Sequence, residues 1–221
     1  MADHRIVDGV VGSAPVGDAR APAPPPGGVA PAAGAGDAGW ALAVRAARPD
    51  DIPALTALYN HYVRTSEATF DLDEWSEAQR AEWFSHYGTA GPHRLLVAEA
   101  PDGGLLGYAS SSPFRPRAGY RTSVEVSVYV DPGGQGRGVG RALYRELFDL
   151  LDGQPLHRAY AGVALPNPAS LALHHGFGFR GIGTFTEVGS KFGRYIDVAW
   201  LELDLERRRS GRGGPVPDPS G

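Results

Sequence analysis

The chain of 221 residues contains no cysteine. This absence excludes a disulfide framework, a thiolate nucleophile and a zinc site built on thiolates. Histidine and carboxylate clusters at metal-ligand spacing are also missing from the sequence, so we expect no metal centre. Any catalysis must therefore rely on carboxylate, imidazole or hydroxyl groups.

Long hydrophobic runs are absent as well. No apolar stretch reaches the roughly 18 residues that suggest a membrane-spanning helix. The first residues also lack the basic start and continuous apolar stretch of a secretory signal. We therefore expect a cytoplasmic protein that has no membrane partner.

Lysine is almost absent, because Lys191 is the only lysine among 21 basic residues. The arginines are spread through the chain and the formal net charge is -4, which argues against nucleic acid as a partner. One local run, Arg207-Arg208-Arg209 with Arg212, lies in a glycine- and proline-rich ending. Such a run is typical of a solvated tail.

Composition divides the chain into three parts. Residues 1–40 include 10 alanines, 8 glycines and 6 prolines and show no helical or alternating apolar period. Such a segment buries too little apolar surface to offset its ordering entropy, so we expect a disordered arm. Residues 41–205 carry the apolar periodicity of one ordered domain, and we expect residues 206–221 to be a disordered tail.

The order of predicted elements favours a mixed α/β (α+β) fold. Asp50-Asp51-Ile52-Pro53 is typical of a helix start, and Ser76 with Gln79 fits a capping box. The turn sequence Pro101-Asp102-Gly103-Gly104 joins two apolar runs and predicts an antiparallel hairpin. Later segments predict helix, strand, helix, strand and strand at residues 139–151, 158–164, 168–175, 179–188 and 195–205.

A glycine-rich turn stands between a predicted strand and a predicted helix. Gly136, Gly138 and Gly140 follow alternating valines and precede a helical apolar pattern. Glycines let the backbone approach a phosphate, and the first amides of a helix have no internal acceptor, so this order predicts an anion cradle. The spacing matches neither a dinucleotide fingerprint nor a Walker A loop. A flexible surface turn is the competing interpretation.

The segment Gln135-Gly136-Arg137-Gly138-Val139-Gly140 resembles the pyrophosphate loop of the GNAT N-acetyltransferase family. Further stretches resemble the phosphinothricin and methionine sulfoximine acetyltransferase branch: 107–110, 114–116, 119–121, 124–125 with 127–130, Asn167 with Ser170, 173–174 and 191–194. The resemblance implies a GNAT-like fold, a mostly antiparallel seven-stranded sheet flanked by helices. It also implies acetyl-CoA as co-substrate, a small amino-acid-like amine as acceptor and a tendency to form homodimers.

Glu125 is the candidate general base. Alternation along its strand places Glu125, Ser127 and Tyr129 on one face and the valines on the other. An ammonium substrate must lose a proton before it attacks a carbonyl, and a nearby carboxylate can remove that proton. The competing interpretation is a solvent-facing glutamate on an amphipathic strand.

His174 is the second candidate catalytic residue, because the resemblance places it where the wider family usually has a tyrosine. Imidazole donates or accepts protons near neutral pH, so His174 is expected to act either as an acid toward the CoA thiolate or as a second base. The competing interpretation is a helix residue that packs against the sheet.

The resemblance also implies which residues bind the two substrates. We expect Arg115 to hold a carboxylate through its planar fork, although a solvated loop arginine is the alternative. The residues expected at the acceptor are Arg115, Pro116, Arg117, Glu125, Val126 and Ser127. Those expected to bind acetyl-CoA are Val128, Tyr129, Val130, Gly136, Arg137, Gly138, Val139, Gly140, Arg141, Asn167 and Ser170. Arg117 and Val126 depart from the residues of close relatives, so both bear on the choice of amino acid.

Three functions remain open from the sequence. An N-acetyltransferase for a small amino-acid-like amine is the main expectation. An acetyltransferase for a protein N-terminus or an amine antibiotic is the second. A non-catalytic acyl-CoA-binding sensor is the third, and Glu125 with His174 argues against it.

Overall fold

The computed structural model describes residues 42–211. The expected arm at residues 1–40 and the end of the expected tail, residues 212–221, therefore lie outside the described residues. Seven strands form one sheet in the order β1-β2-β3-β4-β5-β7-β6, which confirms the predicted mixed, mostly antiparallel sheet. The strands are β1 Ala43–Ala46, β2 Arg94–Glu99, β3 Leu105–Pro113, β4 Ser123–Val130, β5 Arg158–Ala164, β6 Arg180–Lys191 and β7 Arg194–Asp204.

Helices flank both faces of this sheet: α1 Ile52–Thr65, α2 Glu77–Phe84, α3 Val139–Leu151, α4 Pro168–Gly176 and α5 Leu205–Arg209. The predicted capping box is confirmed, because the Ser76 hydroxyl accepts from the Gln79 amide at 3.3 Å while Gln79 Oε1 accepts from the Ser76 amide at 2.9 Å. None of the described helices has both the length and the apolar composition that a membrane span requires.

The two faces of β4 belong to two different cores, as the alternation predicts. Val124, Val126 and Val128 are buried with α3 in an aliphatic core. Tyr129 is buried on the opposite face with Tyr108 and the aromatic side chains of α1. Glu125 therefore lies on the side of the sheet that α1 and α2 cover, away from α3.

β4 and β5 form the one parallel pair among the described strands, and they pair over a short length. The register runs from Ser123 opposite Arg158 to Glu125 opposite Tyr160, although the strands continue to Val130 and Ala164. The two strands therefore diverge after Glu125. We call the opening between them the wedge.

The C-terminal end differs from the expected tail. Residues 205–209 form α5, whose first turn is capped by Asp204 Oδ1 accepting from the Arg207 amide at 2.9 Å. Arg208 forms ion pairs with Asp149 on α3 and with Asp152, which follows the helix, and Arg209 donates to carbonyls of residues 152, 154 and 156. These arginines therefore fasten the chain end to the domain rather than remain solvated.

Candidate acetyl-CoA and acceptor site

The glycine-rich turn leads directly into α3. Gly138 is the N-cap residue with φ 78°, and Gly136 has φ 71°. A Cβ atom at either position would meet no atom within 4 Å. The left-handed backbone, rather than a shortage of space, therefore favours glycine here. Because the first amides of α3 have no partner inside the helix, they face this turn as donors for an anion.

A cavity of about 790 Å³ opens beside this turn. Its walls combine the turn and the start of α3 with the start of α4 and the end of β4. The lining residues are Val130, Gly134, Gln135, Gly136, Gly138, Val139, Gly140, Arg141, Pro166, Asn167, Pro168, Ala169, Ala172 and Leu173. The structure thus brings together most residues expected to bind acetyl-CoA, and a cavity of this size fits a cofactor-sized molecule.

Four of the residues expected to bind acetyl-CoA do not line the cavity: Val128, Tyr129, Arg137 and Ser170. Arg137 is exposed and does not line the cavity, whereas Arg141 does. Ser170 is buried below the cavity, and its amide donates to Asn167 Oδ1 at 3.0 Å. The side chains of Val128 and Tyr129 are buried on opposite faces of β4, so their backbone is the part that a ligand can reach.

The carbonyl of Val130 already has one partner. Tyr62 on α1 donates its hydroxyl to this oxygen at 2.6 Å. Burial raises the pKa of Tyr62, so the hydroxyl stays protonated and serves as a donor at neutral pH. This bond anchors the end of β4 to α1 at the open side of the wedge.

Glu125 lies at the vertex of the wedge, in the last residue pair before β4 and β5 diverge. Its side chain is 5% exposed, and its Oε2 lies 3.8 Å from Nη1 of Arg115. Ser127, two residues further along the same face, shares a 2.9 Å hydrogen bond with the hydroxyl of Ser110. The carboxylate therefore lies on the face of the sheet opposite α3, at the point where β4 and β5 diverge.

Arg115 rests on aromatic rings that the sequence interpretation did not include in the site. Its guanidinium carbon lies 4.2 Å from the ring centre of Phe114 and 5.7 Å from that of Trp200. Phe114 in turn stacks on Tyr160 at 4.3 Å. Tyr160 and Trp200 are far from Arg115 in sequence, so only the strand pairing shows that their rings lie near it.

The other expected acceptor residues are less favourably placed. The side chain of Val126 is fully buried in the aliphatic core on the α3 side, so it does not share the face of Glu125. Pro116 and Arg117 are exposed at the end of the segment that carries Arg115.

His174 is buried and does not line the cavity. It has no exposed surface. Its Nδ1 lies 2.8 Å from the Ser170 carbonyl, which can only accept, so Nδ1 carries the hydrogen. Nε2 then accepts from the Tyr144 hydroxyl at 2.9 Å. Both nitrogens are therefore used inside the protein, where His174 joins α4 to α3.

The protonation state of His174 agrees with this structural role. Burial lowers the pKa of His174 to about 4, and the hydrogen bond to the Ser170 backbone opposes the shift only in part. The ring is therefore neutral at pH 7. Burial also raises the pKa of Tyr144, so that its hydroxyl remains a donor to the ring.

Comparisons with known proteins agree with this geometry. A sequence model described as Acetyltransferase (GNAT) domain matches residues 44–200. The chain is 53% identical to a phosphinothricin N-acetyltransferase of Streptomyces coelicolor over 163 residues, which are 73% of this chain and 95% of the relative. It is 36% identical to an L-methionine sulfoximine/L-methionine sulfone acetyltransferase of Pseudomonas aeruginosa over 167 residues, 76% of this chain and 96% of the relative.

A solved structure supports the same likeness. The phosphinothricin acetyltransferase from Sinorhizobium meliloti, crystallised in complex with AcCoA, superposes with a TM-score of 0.72 at 32% identity. The match covers 80% of this chain and 94% of that one. The fold therefore has a counterpart that was crystallised with acetyl-CoA.

The buried state of His174 predicts a pH-dependent stability. Its pKa is about 4 in the folded chain against 6.5 in the unfolded chain, so the unfolded state binds more protons between these values. The stabilisation is complete above about pH 6.5 and is lost as the pH falls toward 4, by about 3 kcal/mol in total. Urea unfolding at pH 7.5 and pH 5 measures the part of this loss that occurs above pH 5.

The variant His174→Leu should lose this part of the pH dependence, because leucine cannot take up a proton. His175→Leu is the matched control, since the neighbouring His175 is exposed and should leave the wild-type slope intact. Identical slopes in wild type and His174→Leu would show that His174 is not a buried neutral group.

Proposed function

The chain belongs to the GNAT acetyltransferase family, and from this premise we propose that it acetylates the amino group of a small amino-acid-like substrate of the phosphinothricin or methionine sulfoximine type. The observation that carries the proposal is the position of Glu125 at the vertex of the wedge, 3.8 Å from Arg115. A base and a carboxylate-binding cation thus lie side by side, as an α-amino acid requires. The relatives named for these two substrates support the same choice.

The residues around the cavity fit acetyl-CoA. We propose that the backbone amides of residues 136–141 hold the pyrophosphate, with Arg141 adding positive charge. The backbone of residues 128–130 at the open side of β4 offers hydrogen-bonding groups to the amides of pantetheine. Asn167 lines the other wall. When bound, acetyl-CoA supplies an activated acetyl thioester.

Glu125 acts on the acceptor amine. The amine arrives as an ammonium and has no free electron pair until it loses a proton, which Glu125 takes up directly or through one water. The nitrogen then forms a bond to the acetyl carbon while the carbon–sulfur bond breaks. Of the two protons that the nitrogen loses, one ends on the CoA thiol and one reaches solvent. His174 takes no part in this step, because both of its nitrogens are bonded inside the fold.

Arg115 orients the acceptor. Its guanidinium presents two parallel donors to a carboxylate, and the rings of Phe114 and Trp200 hold its plane. A free amino acid bound through this group would direct its amino group toward Glu125. We propose that this arrangement selects α-amino acids over amines that lack a carboxylate.

We further propose that β6 pairs with the same strand of a second copy of the chain. β6 is the edge of the sheet, and its backbone is open to another strand. Ile182, Phe185 and Val188 on this strand are 48%, 54% and 57% exposed. Two copies that meet along β6 would cover these side chains in a symmetric interface.

The variant Glu125→Gln should reduce kcat by about 10²–10⁴-fold, because glutamine keeps the shape and removes the base. Its affinity for acetyl-CoA should remain unchanged by calorimetry. CoA release can be followed with a thiol reagent without background, because the chain has no cysteine. Glu202→Gln is the matched control: Glu202 lies opposite Tyr160 on β7 and is paired with Arg180. Full activity in Glu125→Gln would remove Glu125 from the mechanism.

The variant Arg115→Ala should weaken transition-state binding of a free amino acid by about 1.5–3 kcal/mol, the value of a charged hydrogen bond. The measurement is kcat/KM for an amino acid and for an amine of equal length without the carboxylate. Loss of the ion pair with Glu125 affects both substrates alike. The difference between the two losses in kcat/KM therefore isolates the contribution of the substrate carboxylate. Equal losses would contradict the clamp, and no loss on either substrate would favour a protein or antibiotic amine.

Light scattering after gel filtration tests the pairing of β6. The wild type should have the mass of two chains, and Phe185→Glu should have the mass of one. Leu72→Glu is the control, because Leu72 is 69% exposed outside β6 and should leave the dimer intact. A single-chain mass for the wild type would contradict the pairing.

A further inference from the structure

The only lysine of the chain is buried and is held by two backbone carbonyls. Lys191, the last residue of β6, is 3% exposed. Its Nζ donates to the carbonyl of Ser66 at 2.8 Å and to that of Thr69 at 2.7 Å. These carbonyls belong to residues 66–71, which follow α1 and which we call the 66–71 loop.

The 66–71 loop reaches from the α1 side of the wedge to the tip of the β6–β7 hairpin. On the α1 side, the Thr69 hydroxyl lies 2.8 Å from the Tyr59 hydroxyl, and the Ala68 carbonyl accepts from Tyr129 of β4 at 3.5 Å. On the hairpin side it meets Lys191. The same loop therefore contacts both β4 and β6, although β5 and β7 lie between them in the sheet.

Phe70 makes the second contact with the hairpin. A Cβ atom at Gly189 would lie 2.1 Å from Cε1 of Phe70, so the ring rests directly on the backbone of β6. Gly189 is opposite Ile196 in the β6–β7 pairing. Ile196 alternates along β7 with Val198 and Trp200, which share its face.

This face is the one that carries Glu125. The ring of Trp200 lies 5.7 Å from the guanidinium of Arg115, which contacts Glu125. Tyr160, opposite Glu125 on β5, stacks on Phe114 beside Trp200. The 66–71 loop therefore crosses the sheet on the acceptor side of the wedge rather than on the side of α3.

The chemistry of Lys191 suits a side chain that holds a loop in place. Carbonyls of an irregular loop have no ladder partner and are costly to bury unpaired. The ammonium group of a lysine supplies several N–H donors, so one side chain can bond two of these carbonyls at once. Burial lowers the pKa of Lys191, and the nearby Asp71 and Glu67 oppose this. None of these contacts extends to the acetyl-CoA cavity, whose lining excludes the loop.

We propose that Lys191 is a positioning residue for the acceptor amine: it fixes the 66–71 loop as a wall on the acceptor side of the wedge. The inference rests on the proposed function, since it assigns the acceptor to the Glu125 face. Two consequences follow if Lys191 fixes the loop in this way. Acceptor binding should depend on Lys191, and acetyl-CoA binding should not.

The variant Lys191→Met tests this wall, because methionine keeps the apolar stem and removes the donors. The KM for the amino-acid acceptor should rise about tenfold while kcat changes less than about twofold, the signature of binding lost equally from the ground state and the transition state. The Kd of acetyl-CoA should stay at the wild-type value. Arg194→Met is the matched control. It removes an ion pair between the same hairpin and Glu67 of the loop, in which Arg194 is 57% exposed; such a solvent-exposed pair contributes little, so neither quantity should change.

A second variant reaches the loop without altering the lysine. Gly189→Ala places a methyl group against Phe70 and should move the loop, raising the acceptor KM as Lys191→Met does. Hydrogen exchange of residues 66–71 should become at least about tenfold faster in Lys191→Met and stay slow in Arg194→Met, because loop opening then needs no broken lysine contacts.

Three results would overturn the proposal: unchanged loop exchange in Lys191→Met, an unchanged acceptor KM in both variants, or a loss of acetyl-CoA affinity equal to the loss of acceptor affinity. Failure of the proposed function is distinguishable. A wild type that acetylates no free amino acid or analogue would contradict that function, while loop exchange would still decide whether Lys191 holds the loop.

Discussion

The divergence of β4 from β5 after the pair Glu125–Tyr160 is the constraint on which the rest of the structure depends. A continuous parallel pair would close the sheet and leave no opening between its two faces. Because the pair ends at Glu125, the strands part beyond this carboxylate, and the end of β4 at Val130 lines the cavity beside the glycine turn. The Tyr62 hydroxyl, bound to the Val130 carbonyl, holds the far end of β4 at the opening.

Both faces of the wedge are built by contacts between distant elements. On the cavity side, the Tyr144–His174 hydrogen bond joins α3 to α4, whose first turns line the cavity. On the acceptor side, Arg115 rests on Phe114 and Trp200. The backbone amides of the glycine turn are left as donors to an anion.

The sequence predicts the sheet, the capping box at Ser76 and the glycine turn, because each depends on spacing within a few residues. It also predicts the face of Glu125, since a strand alternates strictly. It does not predict that His174 is enclosed by Tyr144, because burial depends on how α4 packs on α3. For the same reason the sequence does not predict the ion pairs of Arg208 or the carbonyl contacts of Lys191. Their partners lie more than 50 residues away.

Hydrogen exchange of the wild type with and without acetyl-CoA tests the central claim most directly, because it reads backbone amides and needs no acceptor. Binding in the wedge should slow exchange in residues 126–130 and 136–141 and leave β1, β2 and α5 at their free rates. Protection confined to other segments, or no protection at β4 and the glycine turn under saturating acetyl-CoA, would contradict the account.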